Sequence, residues 1–273
     1  MRYQDFNNFM VERHNIYLRR FIQGDPYPWT EDPILNEYSF CNVYRELDRV
    51  TIWIRENWRE PYADHRNLMF AMAVARQINW PDTLEEIGFP EKWEPEKVKA
   101  IMQARKDRGE KVYTGAYMLT GTLGGTKIEQ TVDKILTPLY ARFPCYFSSL
   151  EDSWRSFLPY AGFSGFMAYE VVTDLRHTKW LNDAPDIMTW ANPGPGAKRG
   201  LNRIHGREVT QSVPREKQIQ EMRDLLELLN GNPLPLEMRD IEHCLCEFDK
   251  YERVRLGQGK PRAKFKPKQE ELL

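Results

Sequence analysis

The block GPGAKRGLNRIHGR, residues 194–207, sets Lys198, Arg199, Arg203 and Arg207 behind a glycine-rich loop without one acidic side chain. Residues 250–268 repeat the bias: Lys250, Arg253, Arg255, Lys260, Arg262, Lys264, Lys266 and Lys268 stand against Glu252 alone. On a chain whose formal net charge is −1, two local basic segments suit a localised anion, either nucleic acid or a phosphate. A solvated face followed by a loose tail is the plain alternative. A third stretch, LPYAGFSGFMAYEVV (158–172), places Gly162, Ser164 and Gly165 directly before an apolar, helix-like run. Glycines there let a backbone approach a phosphate closely, and the N–H groups opening the next helix then bind it. An ordinary turn between two packed helices uses the same residues.

The elements that must hold these groups read as helices. In residues 34–59, Val43, Leu47, Val50 and Ile54 fall on one stripe, which predicts an amphipathic helix. Leu68, Met72, Ala75 and Ile78 repeat the pattern over 66–79, with Pro81 as the stop. Helices are also predicted over 94–107 and 128–141. Ser148 with Glu151 resembles a capping box opening another at about 149. Pro214 and Pro235 stand where further helices would start. The one weak strand candidate is KVYTGAYMLTGT, 111–122.

The reading is therefore all-α: one helical domain over 1–256, of one or two lobes, and a basic, flexible tail from Gly257 to Leu273. Charged residues make up 29% and no apolar run reaches membrane-spanning length, so no membrane partner is expected. The start, MRYQDFNNFMVERHN, lacks the apolar core of a signal peptide, which points to the cytoplasm. Cys41, Cys145, Cys244 and Cys246 have no zinc-ribbon or zinc-finger spacing, and the C-x-C pair falls on a predicted helix. Buried reduced thiols are expected, and no metal or Fe–S site.

The glycine turn resembles that of the helix-hairpin-helix DNA glycosylases, which read roughly L-P-G-h-G-x-x-x-A. With Ala168 on their alanine, Gly162 takes the first glycine position and Ser164 the second, while Gly165 falls one place late. Those enzymes follow the hairpin with an aspartate facing the extruded base. Asp186, eighteen residues beyond Ala168, lies in that region with Asp183 just before it.

A narrower resemblance rests on PWTEDPILNEYSFCNVYRELDRVT (28–51), GFSGFMAYEVVTDLR (162–176), LNDAPDIMTWANPGPGAKRGLNRIHGR (181–207) and HCLCEFDKYERVRLGQGKPR (243–262). Together they resemble the bacteriophage thymine-hypermodification proteins: the alpha-glutamyl/putrescinyl-thymine pyrophosphorylase family of amino acid:DNA transferases, and the related helical domain of 5-hydroxymethyluracil DNA kinases. The resemblance covers about residues 10–262. It implies double-stranded phage DNA as substrate in the infected host's cytoplasm. A 5-hydroxymethyluracil DNA kinase would be a partner, and an amine or amino acid would displace pyrophosphate from the modified base. GTLGGTK (121–127) lacks the G-x-x-x-x-G-K-[ST] order of a P-loop, which favours the transferase branch.

Such chemistry needs an unstacked nucleotide, a basic clamp for the leaving group and a carboxylate beside an uncharged amine. Lys198, Arg199, Arg203 and Arg207 are the expected clamp, with Arg45 or Arg49 as further phosphate ligands if they are not a surface ion-pair set with Asp48. Asp183 and Asp186 are the candidate carboxylates, with Asp174 and Glu170 in reserve. Gly162, Ser164, Gly165, Lys250, Arg253 and Arg255 would hold DNA. No cofactor is implied beyond the amine, and a divalent metal assisting pyrophosphate departure is left open. A non-catalytic DNA-binding partner of the kinase and a DNA glycosylase are the alternatives. His205 and His243 are expected to be surface or structural residues rather than catalytic ones, and Trp180 and Trp190 to pack rather than stack on a base.

Overall fold

A computed structural model describes residues 2–115, 123–143, 145–229, 235–261 and 263–267. In chain order the helices are α1 (Tyr3–Tyr17), α2 (Pro33–Glu37), α3 (Arg49–Ile54), α4 (Leu68–Ile78), α5 (Pro81–Ile87), α6 (Pro95–Asp107), α7 (Lys127–Glu129), α8 (Thr137–Tyr140), α9 (Leu150–Phe157), α10 (Gly165–Leu175), α11 (Pro195–Ile204), α12 (Arg215–Leu229) and α13 (Met238–Arg255). Wide π-type turns extend α1 and α3 and join α7 to α8. The fold is all-α: among the described residues there is no strand, only an antiparallel bridge between Tyr38 and Lys264. Residues 116–122, most of the weak strand candidate and the start of GTLGGTK, lie outside the described residues.

The chain divides into two compact units, Arg49–Asp186 and a second made of Met1–Asp48 with Ile187–Leu273. In the first, α4 is the central element. All eleven of its residues are buried, more than the single stripe its periodicity predicts, because a helix apolar on every side must be covered on every side. Phe70 meets Trp93 and Tyr140 edge-on, with ring centroids 4.9 Å apart in both cases. Asn79 closes α4 in the left-handed conformation, its N–H donating to the Ala75 carbonyl, and Pro81 opens α5 in the first-turn position that suits it. α9 starts one residue later than the predicted capping box: Ser149 is the cap, and its hydroxyl accepts from the Asp152 N–H.

In the other unit, α13 is the spine. Phe248 packs against Phe6 and Phe9 of α1 at centroid distances of 5.5 and 5.8 Å. α11 lies against α13 through glycines: an added Cβ on Gly196 would fall 2.2 Å from Cys246 Sγ, and one on Gly200 would fall 2.4 Å from the Leu245 carbonyl oxygen. That closeness fixes where the basic block can stand.

One expectation is corrected. The single helix predicted over 34–59 is broken. Asp32 caps α2 by accepting from the N–H groups of Ile34 and Leu35, and the helix ends at Glu37. The chain then runs extended, because Arg13 takes the carbonyls of Phe40 and Cys41 and the side-chain oxygen of Asn42. Backbone carbonyls tied to a guanidinium cannot serve a helix. Val43 is still buried, so the apolar spacing was satisfied by an extended segment lying along α13 (Cys244 Sγ reaches the Val43 carbonyl at 3.8 Å).

Part of the basic C-terminal segment has contacts of its own: in residues 263–267, Phe265 donates its N–H to the Glu37 carbonyl, and Lys264 pairs with Glu37 at 2.9 Å. The Phe265 ring lies beside Tyr27 and Trp29, with the Arg20 guanidinium 5.4 Å from its centroid. One aromatic among the lysines supplies the apolar contact that a purely basic tail would lack.

Candidate functional site

The glycine turn joins α9 to α10 in the unit Arg49–Asp186. Gly162 has φ +78°, the left-handed region. An alanine Cβ there would lie 2.4 Å from Cδ1 of the buried Ile135. Its carbonyl accepts from Gln77 Nε2 at 3.1 Å. Ser164, the second position of the motif, sits at φ −67° as the residue preceding α10 and needs no glycine. It is exposed, as is Phe166, while Phe163 is buried. The turn is thus fixed by the core beneath it and open on its outer side. Gly162→Ala should destabilise by roughly 1–3 kcal/mol in urea unfolding, combining left-handed strain with overpacking. Adding Ile135→Ala should remove the steric part and leave the strain. A fully neutral Gly162→Ala would show that the turn is not held this way.

The carboxylates of this unit differ in circumstance. Asp186 is spent on α9: its two oxygens accept from the N–H groups of Leu150 and Glu151 at 2.8 and 2.9 Å, capping the positive end of that helix. Asp183 is exposed. Glu170 and Asp174 are buried on α10. Asp174 is bound bidentately by Arg76, Nε to Oδ2 at 2.5 Å and the terminal nitrogen to Oδ1 at 2.6 Å, with Arg59 at 3.8 Å. Two buried arginines around one buried aspartate form a structural charge cluster. Arg49, at the start of this unit, is exposed.

The basic residues of the other unit are mostly neutralised. Arg199 and Arg203 both pair with Asp249 on α13, at 2.7 and 2.9 Å. Arg207 grips Glu221 through two bonds, at 2.8 and 2.6 Å. Arg253 lies 3.6 Å from Asp249, Arg255 pairs with Glu252, and Lys250 pairs with Glu247. Lys198 projects into solvent. The block therefore serves first to lock α11 and α12, and its free charge is concentrated at Lys198.

A different group gathers where the extended segment 38–44 meets α13. Arg45 lies 3.3 Å from Asp48 Oδ2 and 4.0 Å from Cys41 Sγ. Asp48 Oδ1 accepts from both the backbone and side-chain nitrogens of Asn42, at 2.9 and 3.1 Å. The Cys41 N–H donates to Glu247 Oε2 at 2.9 Å. The Lys250 ammonium sits 4.6 Å from the centroid of the Phe40 ring. His243, one turn before Glu247 on α13, shares a hydrogen bond with the Asn42 backbone, and its Nε2 is buried without a partner. Burial, reinforced by Arg45 and Arg239, pushes the imidazole well below its ordinary range, so it is neutral. Burial likewise pushes the Cys41 thiol up, with Glu247 and Asp48 adding to the shift.

The sequence reads Arg45, Asp48 and Arg49 as a surface ion-pair set, or Arg45 or Arg49 as a phosphate ligand, Cys41 as a buried thiol and His243 as a surface or structural residue. What it missed is their convergence. The signal that could have found it is local: FCNVYRELD (40–48) packs four polar or charged groups into a stretch whose helical stripe is imperfect, and His243, Glu247 and Lys250 repeat at helical spacing on α13.

Residues 1–260 match the family described as 5-hmdU DNA kinase, helical domain. The chain belongs to that family. A relative from Bacillus phage SP10, described as a 5-hmdU DNA kinase, is 32% identical over 222 residues, covering 71% of this chain and 35% of the relative. The chain thus spans about a third of that relative's length. No solved structure matches significantly. Of the two branches resembled in sequence, the kinase-associated one is the branch that matches, and its helical character agrees with the fold. No helix among the described residues is long and apolar enough to cross a membrane.

Proposed function

We propose that this protein acts in phage thymine hypermodification, as a transferase that displaces pyrophosphate from 5-(pyrophosphoryloxymethyl)uracil in DNA with an amine or amino acid. Kinship with the helical domain of a 5-hmdU DNA kinase supports the substrate class. The observation that carries the reaction is Arg45, held in a partly accessible polar cluster by Asp48 and Cys41 rather than sealed in a buried pair. In the displacement, the amine lone pair forms a C–N bond at the exocyclic methylene. The C–O bond breaks, and its electrons leave on the pyrophosphate oxygen. The proton lost by nitrogen passes to solvent. A cation fixed beside the leaving oxygen is the chief requirement, because charge develops there. Arg45 is assigned that role and Lys198 an outer phosphate contact. In the other unit, the exposed side of the Ser164 turn is assigned to the DNA backbone.

The test is pyrophosphate release from pyrophosphorylated DNA, with nucleosides then read by mass spectrometry. Release should need both the modified DNA and a free amine, and Arg45→Gln should lower it by roughly a hundredfold. No release with any amine in a broad pool removes the proposal. A second reading has its own support, since the match is to one domain of a larger kinase. As a non-catalytic partner, the chain would bind 5-hydroxymethyluracil DNA, release nothing, and raise the rate of an added kinase.

A further inference from the structure

We infer that Cys41, Asp48 and His243 form a binding site for one divalent transition-metal ion of the zinc class. A thiol sulfur, a carboxylate oxygen and an imidazole nitrogen from these residues lie within 4.8 Å of one another. Around a tetrahedral ion with bonds of about 2.0–2.3 Å, such atoms stand roughly 3.3–3.8 Å apart. The closure required is therefore about an ångström, within the reach of side-chain rotation alone.

The groups around the three donors are arranged as they are around metal ligands, where other partners hold each ligand and leave its binding atom bare. Asn42 takes Asp48 Oδ1 through two nitrogens and leaves Oδ2 to Arg45. The same residue shares a backbone hydrogen bond with His243. A neutral imidazole that donates Nδ1–H to a carbonyl presents a bare lone pair at Nε2, and Nε2 is the atom left buried without a partner. An unpaired buried acceptor is costly unless something occupies it. The Cys41 backbone is fixed at both ends, its N–H on Glu247 and its carbonyl on Arg13. Sulfur, nitrogen and one carboxylate oxygen select zinc, cobalt or iron over magnesium or calcium. Three protein ligands leave a fourth position open, as catalytic rather than structural zinc sites do.

Arg45 is the competing cation. Its guanidinium now stands beside Asp48 Oδ2 and Cys41 Sγ, so a bound ion must displace it. The displaced guanidinium would then meet the pyrophosphate, with the ion as a second positive charge at the leaving oxygen. That role rests on the displacement reaction proposed above; the ion's presence does not, and it is read on the protein alone.

The full chain, stripped with chelator and dialysed against zinc, should retain one equivalent by elemental analysis. Cobalt in its place should give a sulfur-to-cobalt charge-transfer band and the visible bands of a four-coordinate ion. Cys41→Ser should abolish the charge-transfer band, while Cys246→Ser, at an exposed thiol, should keep it. His243→Gln should weaken zinc binding by roughly a hundredfold, which also covers the case in which Cys41→Ser does not fold. Arg45→Gln keeps all three ligands and should tighten binding. Substoichiometric zinc, a band that survives Cys41→Ser, or binding lost with Arg45→Gln would each overturn the inference.

Discussion

Replacing Asp174 with asparagine is expected to cost roughly 3–5 kcal/mol of stability, the loss seen when one partner of a buried ion pair is removed. Arg76 and Asp174 are each about 1% exposed, and Arg59 is 4% exposed. The wild-type arrangement offsets the desolvation of these charges by a two-bond contact from Arg76 and by the nearby Arg59. Thr51 Oγ1 and Asn79 Oδ1 accept further bonds from Arg76, at 3.0 and 3.3 Å. Asparagine keeps an acceptor for Arg76 but none of the negative charge, so two buried guanidinium groups lose the Asp174 charge in a low dielectric. Urea unfolding should show the midpoint shift. The double variant Arg76→Met with Asp174→Leu should recover part of the loss, because it removes charge from both sides at once; Arg59 keeps the recovery incomplete. A single-variant loss below about 1 kcal/mol would mean that this cluster is solvated and that Asp174 is available for other work. As the contacts stand, its place is structural.

How far the sequence reveals this molecule depends on what each residue was reporting. The helices over 66–79 and 94–107 were legible because their apolar spacing and the prolines at 81 and 95 agree with one another, whereas 128–141 is helical but wound as a wide π-type turn over Gln130–Leu136. The break within 34–59 was not legible. Val43 and Ile54 do face the interior, but the backbone just before Val43 is held extended by Arg13, a residue distant in sequence that no local pattern announces. The basic block misled in a related way. Charge can be counted from sequence, whereas its compensation by Asp249 and Glu221 requires knowing that α13 and α12 lie against it. Likewise, Asp186 stands where a functional carboxylate was expected, and only the fold reveals the two N–H groups it caps. The candidate site at Cys41, Arg45, Asp48 and His243 combines both difficulties. Cys41, Arg45 and Asp48 lie in one short stretch, but His243 stands far along the chain, and nothing in either local pattern links the two.

The close approach of α11 to α13 gives the second large effect. Gly200→Ala should destabilise by roughly 3–4 kcal/mol, above the usual cost of overpacking, although alanine in the middle of an exposed helix would gain about 1 kcal/mol over glycine. The sign is reversed by one contact: the new Cβ would stand 2.4 Å from the Leu245 carbonyl oxygen and 3.0 Å from its carbon. These are backbone atoms of α13, so no rotamer change relieves them, and the two helices must separate. Separation would also draw Arg203 away from Asp249, adding an electrostatic loss to the steric one. Gly196, one turn earlier on the same face, provides the internal comparison. Its Cβ would meet Cys246 Sγ at 2.2 Å and Cβ at 3.1 Å, a side chain that can turn aside. Gly196→Ala should therefore cost less, and Cys246→Ala should rescue most of it, while no substitution at residue 245 should rescue Gly200→Ala. Thermal and urea unfolding of the four variants would decide the matter. A stabilising Gly200→Ala would mean that α11 and α13 are not in backbone contact, and that Arg199 and Arg203 are freer to meet a phosphate than their pairing with Asp249 now allows.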